Sequence, residues 1–189
     1  MNIFCIMGYT ASGKDTVVNE ISKNEDIRKI VPVTTRPMRD GECNGIDYFF
    51  YDEEYFQEES NNLVAIRDFK VWNGDIWNYA FDKRAFNGDD NVIMSTDLTG
   101  FRDIEKNFPE DNVVGIFLDV PISILIKRLE ERKTPEEEIK RRIIHDREKY
   151  DSFFINHSEK LYVVSNIDLK KSIFRINNII KNESKKGKR

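Results

Sequence analysis

Apolar runs without alternation recur at Ile3–Met7, Val92–Met94, Val113–Leu118 and Leu161–Val164. Each is followed by helically spaced apolar residues, over Thr16–Ser22, Thr99–Lys106, Ile122–Glu131 and Leu169–Lys181. Strands that are apolar on both faces must be covered on both faces. Their alternation with helices predicts an α/β fold built on a doubly wound parallel sheet. The stretch Val33–Phe81 breaks this rhythm. It has Gly41, Gly45 and Gly74 at turns, short strand-like pieces, and the aromatics Tyr48, Phe49, Phe50, Tyr51, Trp72, Trp77, Tyr79 and Phe81. That pattern predicts a small mixed α/β lobe inserted into the core. Aromatics at this density are expected to form the lobe's own interior more often than a base-stacking platform, although one lobe can need both.

Thr134-Pro135-Glu136-Glu137 reads as a helix start, with Thr134 as N-cap, Pro135 at the first helical position and Glu137 closing a capping box. Glu136/Lys140, Glu137/Arg141 and Glu138/Arg142 are i,i+4 pairs in the favourable order, as on any solvated helix. Arg128 and Arg132 share one helical face before this start, and Arg141, Arg142 and Arg147 follow it.

At 189 residues the chain is long enough for one sizeable core and short for two. A net charge of −4 excludes a broad basic surface of the nucleic-acid-binding kind. Lys185, Lys186, Lys188 and Arg189 make the end a basic tail over 181–189, expected to fray. Cys5 lies in the first strand and Cys43 in a polar loop; the pair supplies neither a disulfide framework nor zinc spacing, which suits a reducing compartment. The first apolar run is too short for a signal peptide or membrane span, so the cytoplasm is the expected location.

The chemistry begins at Gly8-Tyr9-Thr10-Ala11-Ser12-Gly13-Lys14-Asp15-Thr16. A strand, then Gly-x4-Gly-Lys, then a helix is the context of a P-loop. Glycines let several backbone amides converge on one phosphate, the helix adds its positive end, and Lys14 places a cation on the outer phosphates. The loop therefore predicts binding of a nucleoside triphosphate such as ATP. Asp15 stands where a hydroxyl ordinarily meets Mg²⁺, with Thr16 next to it. Both are candidate metal residues, and Asp15 equally suits the first helical turn as a charge. With a P-loop present, Arg132 and one of Arg141 or Arg142 become candidates for a lid over the phosphates.

Thr34-Thr35-Arg36-Pro37-Met38-Arg39-Asp40-Gly41-Glu42-Cys43-Asn44-Gly45-Ile46-Asp47-Tyr48-Phe49-Phe50 closely resembles the acceptor signature of the guanylate kinase family, T-T-R-x-x-R-x-G-E-x-x-G-x-D-Y-x-F. The likeness runs from Ile3 to about Ile180. It implies a phosphotransferase that moves the γ-phosphoryl group of ATP to GMP or dGMP, with Mg²⁺, acting as a monomer or homodimer. By the same resemblance Arg36, Arg39 and Tyr48 grip the GMP phosphate, Asp68 and Asp97 face the guanine edge, and Trp77, Tyr79 and Gly100 complete the acceptor site. Lys14 and the residues Gly8 to Thr16 hold ATP, with Asn166 near its base, and Arg128, Arg132 and Arg142 align with the family's lid as catalytic residues beside Lys14. The implied organisation is one domain over 1–185, with a core of 1–32, 82–125 and 150–185, an NMP-binding lobe of 33–81 and a lid of 126–149.

The chain departs from the family pattern at several points. Pro32 replaces a base-contacting serine, and Ile76-Trp77-Asn78-Tyr79-Ala80-Phe81 stands for a Tyr-Tyr-Gly-Ser/Thr element. In the family's D-x-D-x-Q-G stretch, here Ser95-Thr96-Asp97-Leu98-Thr99-Gly100, Ser95 replaces an acid and Thr99 a glutamine. These changes cluster around the base, so a kinase with another or broader acceptor stands beside the GMP reading. A non-catalytic guanylate-kinase-like binding module would typically lose the lysine retained here as Lys14. A P-loop ATPase or GTPase switch would leave the two-arginine signature unexplained.

Overall fold

The computed structural model describes residues 1–70, 74–88, 91–156 and 161–186. Trp72, Lys188 and Arg189 lie outside them. The first half holds β1 (Asn2–Gly8), α1 (Lys14–Ile21), β2 (Ile27–Lys29), β3 (Val33–Thr34), β4 (Phe49–Phe50), α2 (Glu53–Glu58), β5 (Leu63–Lys70) and β6 (Ile76–Asp82). The second holds β7 (Asn91–Ser95), α3 (Leu98–Asn107), β8 (Asn112–Asp119), α4 (Ile122–Glu131), α5 (Glu136–Asn156), β9 (Leu161–Ser165) and α6 (Leu169–Lys186).

The main sheet is parallel, in the order β2-β7-β1-β8-β9. β1 sits at its centre and is buried on both faces, which explains its unbroken apolar run. Alternate side chains of β1 serve different layers. Ile3, Cys5 and Met7 pack with Phe101 and Ile104 of α3 and Tyr150 of α5. Phe4 and Ile6 pack with Val17, Val18 and Ile21 of α1 and with Ile176 and Ile179 of α6. Helices thus cover both faces, and the loop from Gly8 to Lys14 leaves the carboxyl end of the central strand, where open α/β sheets place their ligands. The expected strands lie within β1, β7, β8 and β9. The three-residue β2 was not anticipated, because Arg28 and Lys29 interrupt its apolar character.

A second, mixed sheet of order β4-β3-β6-β5 forms the lobe. Its interior corrects the expectation from the aromatics. The small core consists of Val33, Phe56, Leu63 and Ala80, with Tyr51 against it. Phe81 belongs to the main core, Phe49 is exposed, and Tyr48, Trp77 and Tyr79 line the cleft. With β3 and β4 only two residues long, the lobe encloses too little volume to take Tyr48, Phe49, Trp77 and Tyr79 into its interior. In β5 the register slips between Val64 and Arg67, with Ala65 at φ 54° and its amide held by Asp103 at 2.7 Å. Such a bulge re-aims the residues that follow it, here Arg67 and Asp68.

α5 begins at Glu136, and the carbonyl of Pro135 accepts from the Ile139 amide at 3.0 Å, so the helix opens one residue later than expected. Glu136–Lys140 and Glu138–Arg142 pair as anticipated at 2.6 Å. Arg141 instead reaches Glu138 at 2.6 Å, so one carboxylate serves two arginines. α5 also runs unbroken past the lid limit expected at 149, with Tyr150 buried in the main core.

Candidate active site

The loop Gly8–Thr16 winds through three positive-φ residues: Gly8 at 149°, Ala11 at 61° and Gly13 at 92°. Gly8 has no room for a side chain, because a Cβ there would meet Ser12 Oγ at 2.7 Å and the Leu118 carbonyl at 3.0 Å. Ala11 holds a left-handed conformation that costs any residue with a Cβ, and its methyl is fixed between Leu129 and Ile139. Behind the loop lies a polar scaffold. Arg128 donates to the carbonyls of Ala11 at 3.0 Å and Asn166 at 3.2 Å. Asn166 donates to the Ser12 carbonyl at 2.7 Å and accepts from Ser172 at 2.5 Å. Arg128 thus braces the loop's carbonyls, a support that the lid reading did not anticipate.

Lys14 opens α1 and donates to the carbonyls of Gly8 at 2.9 Å and Tyr9 at 3.1 Å. Burial lowers its pKa, against the pull of Asp15, Asp146 and Asp97. The Thr10 amide already has an anionic partner, Asp146 of α5, at 2.6 Å. Asp15 accepts from Ser95 at the end of β7 at 2.6 Å. Thr16 is exposed and lines neither cavity described next, which separates it from Asp15.

A cavity of about 330 Å³ brings Thr10, Ala11, Lys14 and Asp15 together with Arg132, Arg142, Asp68, Trp77 and Asp97. A second, of about 180 Å³, is lined by Arg36, Glu42, Asp47 and Lys29. Asp15, Pro32, Arg39, Tyr48, Tyr79 and Ser95 line both. The residues expected on the donor side and on the acceptor side therefore share one wall.

Arg36 is only 3% exposed, donates to Glu42 and to the Pro37 carbonyl at 2.7 Å each, and lies over the Tyr48 ring at 5.3 Å. Burial alone would lower its pKa; the Glu42 hydrogen bond, together with the electrostatic pull of Tyr79, Glu42 and Tyr48, more than offsets this, so the guanidinium stays charged. Arg39 is exposed and its amide donates to Glu42 at 2.8 Å. Burial, with Asp15 and Tyr79 nearby, raises the pKa of Tyr48, which keeps its phenol protonated as a donor. Asp68 is exposed on β5 opposite Asn78, and the next pair, Phe69 and Trp77, stack at 6.4 Å. Arg141 and Arg142 lie over Phe69 at 5.4 and 5.9 Å, joining α5 to the lobe.

Asp97 has a different environment from the one its expected guanine contact suggests. It caps α3 through the Gly100 amide at 2.9 Å and pairs with Arg67 at 3.3 Å and Lys149 at 2.5 Å. Burial would raise its pKa, yet the two cations and the amide hold it far below the usual carboxylate range. Gly100 is buried in α3, where a Cβ would meet Thr96 Oγ1 at 2.2 Å, so its role here is close packing. Arg67, Lys149, Asp146 and Ser172 were not singled out from the sequence. Each acts across a long sequence separation or as an ordinary helix residue, and no local pattern marks it.

The family model of guanylate kinase matches residues 1–183. The guanylate kinase of Neisseria gonorrhoeae is 33% identical over 180 residues, which cover 90% of this chain and 82% of that protein. That of Carboxydothermus hydrogenoformans is 34% identical over 142 residues, covering 71% of this chain and 66% of the relative. Among solved structures, guanylate kinase from Anaplasma phagocytophilum superposes with a TM-score of 0.67 at 29% identity, over 96% of this chain and 85% of that one.

Proposed function

The chain belongs to the guanylate kinase family, and from that premise we propose which residues carry transfer of the ATP γ-phosphoryl group to GMP. The observation that carries the assignment is the shared wall. Thr10, Ala11 and Lys14 of the P-loop open onto the larger cavity and Arg36 onto the smaller, Arg39, Tyr48 and Tyr79 stand in the wall between them, and phosphoryl transfer needs the two phosphates brought in line. Lys14 and the loop amides hold the β- and γ-phosphates of ATP. Arg39 and the Tyr48 phenol bind the acceptor phosphate, and buried Arg36 supplies a fixed positive charge beside them. Arg132 and Arg142 neutralise charge on the transferring group and exclude water. No general base is required, because the acceptor phosphate oxygen is already anionic. Arg128 and Asn166 keep the loop in shape.

Among the described residues no group of three or more carboxylate, histidine or cysteine side chains gathers as a metal cage. A hard cation that arrives with the nucleotide phosphates needs only one or two oxygen donors from the protein. Asp15 fits that requirement. Mg²⁺ bound there with ATP would offset negative charge on the β- and γ-phosphates. The proposed setting is the cytoplasm, with free nucleotides rather than nucleic acid as substrates; no helix among the described residues is long and apolar enough to cross a membrane.

Asp68 reads the guanine N1–H and N2–H₂ donors, a pair that adenine lacks. The test is a coupled ADP-release assay across the common ribo- and deoxyribonucleoside monophosphates. GMP and dGMP should be used best, and Asp68→Asn should cut GMP use by roughly tenfold to several hundredfold, as unpaired buried donors at about 1–3 kcal/mol each imply. AMP use should change little. Equal use of dTMP or AMP by the wild type, with Asp68→Asn lowering all alike, would replace this with the broader acceptor reading.

A further inference from the structure

Ser95 ends β7, and Asp15 lies in the first turn of α1. β7 is the sheet neighbour of β1, so its carboxyl end stands beside the loop that β1 feeds. There the Ser95 hydroxyl donates to Asp15 Oδ1 at 2.6 Å, a short charge-assisted hydrogen bond between residues 80 apart. Both side chains line both cavities, on the wall that the two share. Each is also a departure from the pattern that the rest of the chain follows. The residue after the P-loop lysine is ordinarily a hydroxyl, and position 95 is ordinarily an acid; here the carboxylate follows the lysine and the hydroxyl ends the strand.

We propose that these two departures are one exchange: Asp15 holds the divalent cation borne by the nucleotide, and Ser95 is the positioning residue that fixes its carboxylate. The proposal rests on the kinase reading of the P-loop. Its physical basis is charge. Two carboxylates facing each other would repel, and two hydroxyls would offer a dication no formal charge. The exchanged pair keeps one negative charge and one hydroxyl in the same gap. It keeps that charge close enough to act on both Lys14 and Tyr48. Ser95 occupies one carboxylate oxygen, and among the described residues Oδ2 accepts no hydrogen bond.

The test is Mn²⁺ binding to the enzyme–ADP complex, read from the paramagnetic resonance signal of free Mn²⁺, with thermal melting as a control for folding. Asp15→Ser should weaken Mn²⁺ about tenfold or more, and Ser95→Ala by about tenfold, as the loss of an orienting partner implies. The reciprocal variant, Asp15→Ser with Ser95→Asp, should return affinity to within about threefold of wild type, a coupling that independent sites do not show. If Asp15→Ser does not fold, Asp15→Asn replaces it with nearly the same shape. Wild-type Mn²⁺ affinity in Asp15→Ser or Asp15→Asn, or a reciprocal variant no tighter than Asp15→Ser, overturns the pairing. The titration contains no GMP, so an error in the guanine assignment cannot mimic either result.

Discussion

Lys14 and Arg39 illustrate how a side chain's present partners forecast its loss. Lys14 holds two loop carbonyls and no core contact carries it, so Lys14→Ala should fold normally and lose on the order of a hundredfold or more in turnover. Wild-type melting with near-normal turnover would dissociate the loop from catalysis. Arg39 is exposed and its side chain borders both cavities, so its removal should be selective. Arg39→Ala is expected to weaken GMP binding about tenfold, the cost of roughly 1.4 kcal/mol, while leaving ATP affinity unchanged. Separate calorimetric titrations of the two nucleotides check this, and equal losses for both would mark Arg39 as structural. At this scale residue types in the two signatures were legible in the chain, but their partners were not. Asp97 reads as a base contact until Arg67 and Lys149 are found on either side of it, 30 and 52 residues away along the chain. Asp15 and Ser95 are two unrelated departures until one hydrogen bond joins them.

Elements were legible where burial is symmetrical. β1, β7 and β8 are covered on both faces, and that alone writes a continuous apolar run. β3 and β4, two residues each, are too short to write any period, and the β5 bulge interrupts the one that β5 would carry. α5 shows a further effect, because the same helix faces solvent near Arg141 and the core at Tyr150. Its charged half has a pH signature. Hydrogen bonds from Arg141, with those from Arg142, outweigh burial and lower Glu138 from 4.5 to about 2. A depressed carboxyl contributes stability that is complete above about pH 4.5 and disappears as pH falls toward 2. Urea unfolding of wild type and Glu138→Gln should therefore differ most near pH 5 and converge near pH 2. A constant difference across that range would assign the effect to packing instead.

For the whole molecule, α5 connects what the sheet separates. Within Arg141–Tyr150 it touches the lobe at Phe69, the loop at Thr10, the capped end of α3 at Asp97 and the core around Met7. One rigid rod thus registers the state of all four regions. The contact at Thr10 is the most consequential, because Asp146 takes an amide of the loop that is built for phosphate oxygens. Asp146→Asn should tighten ADP binding several-fold by calorimetry, since a neutral amide competes less well than a carboxylate for that N–H. Unchanged or weaker ADP binding would mean that Asp146 only shapes the loop. Seen this way, loading the enzyme is a trade of one anion for another. The nucleotide's measured affinity is then a difference between two attractions, and a loop with stronger intrinsic pull on anions need not bind its substrate any more tightly.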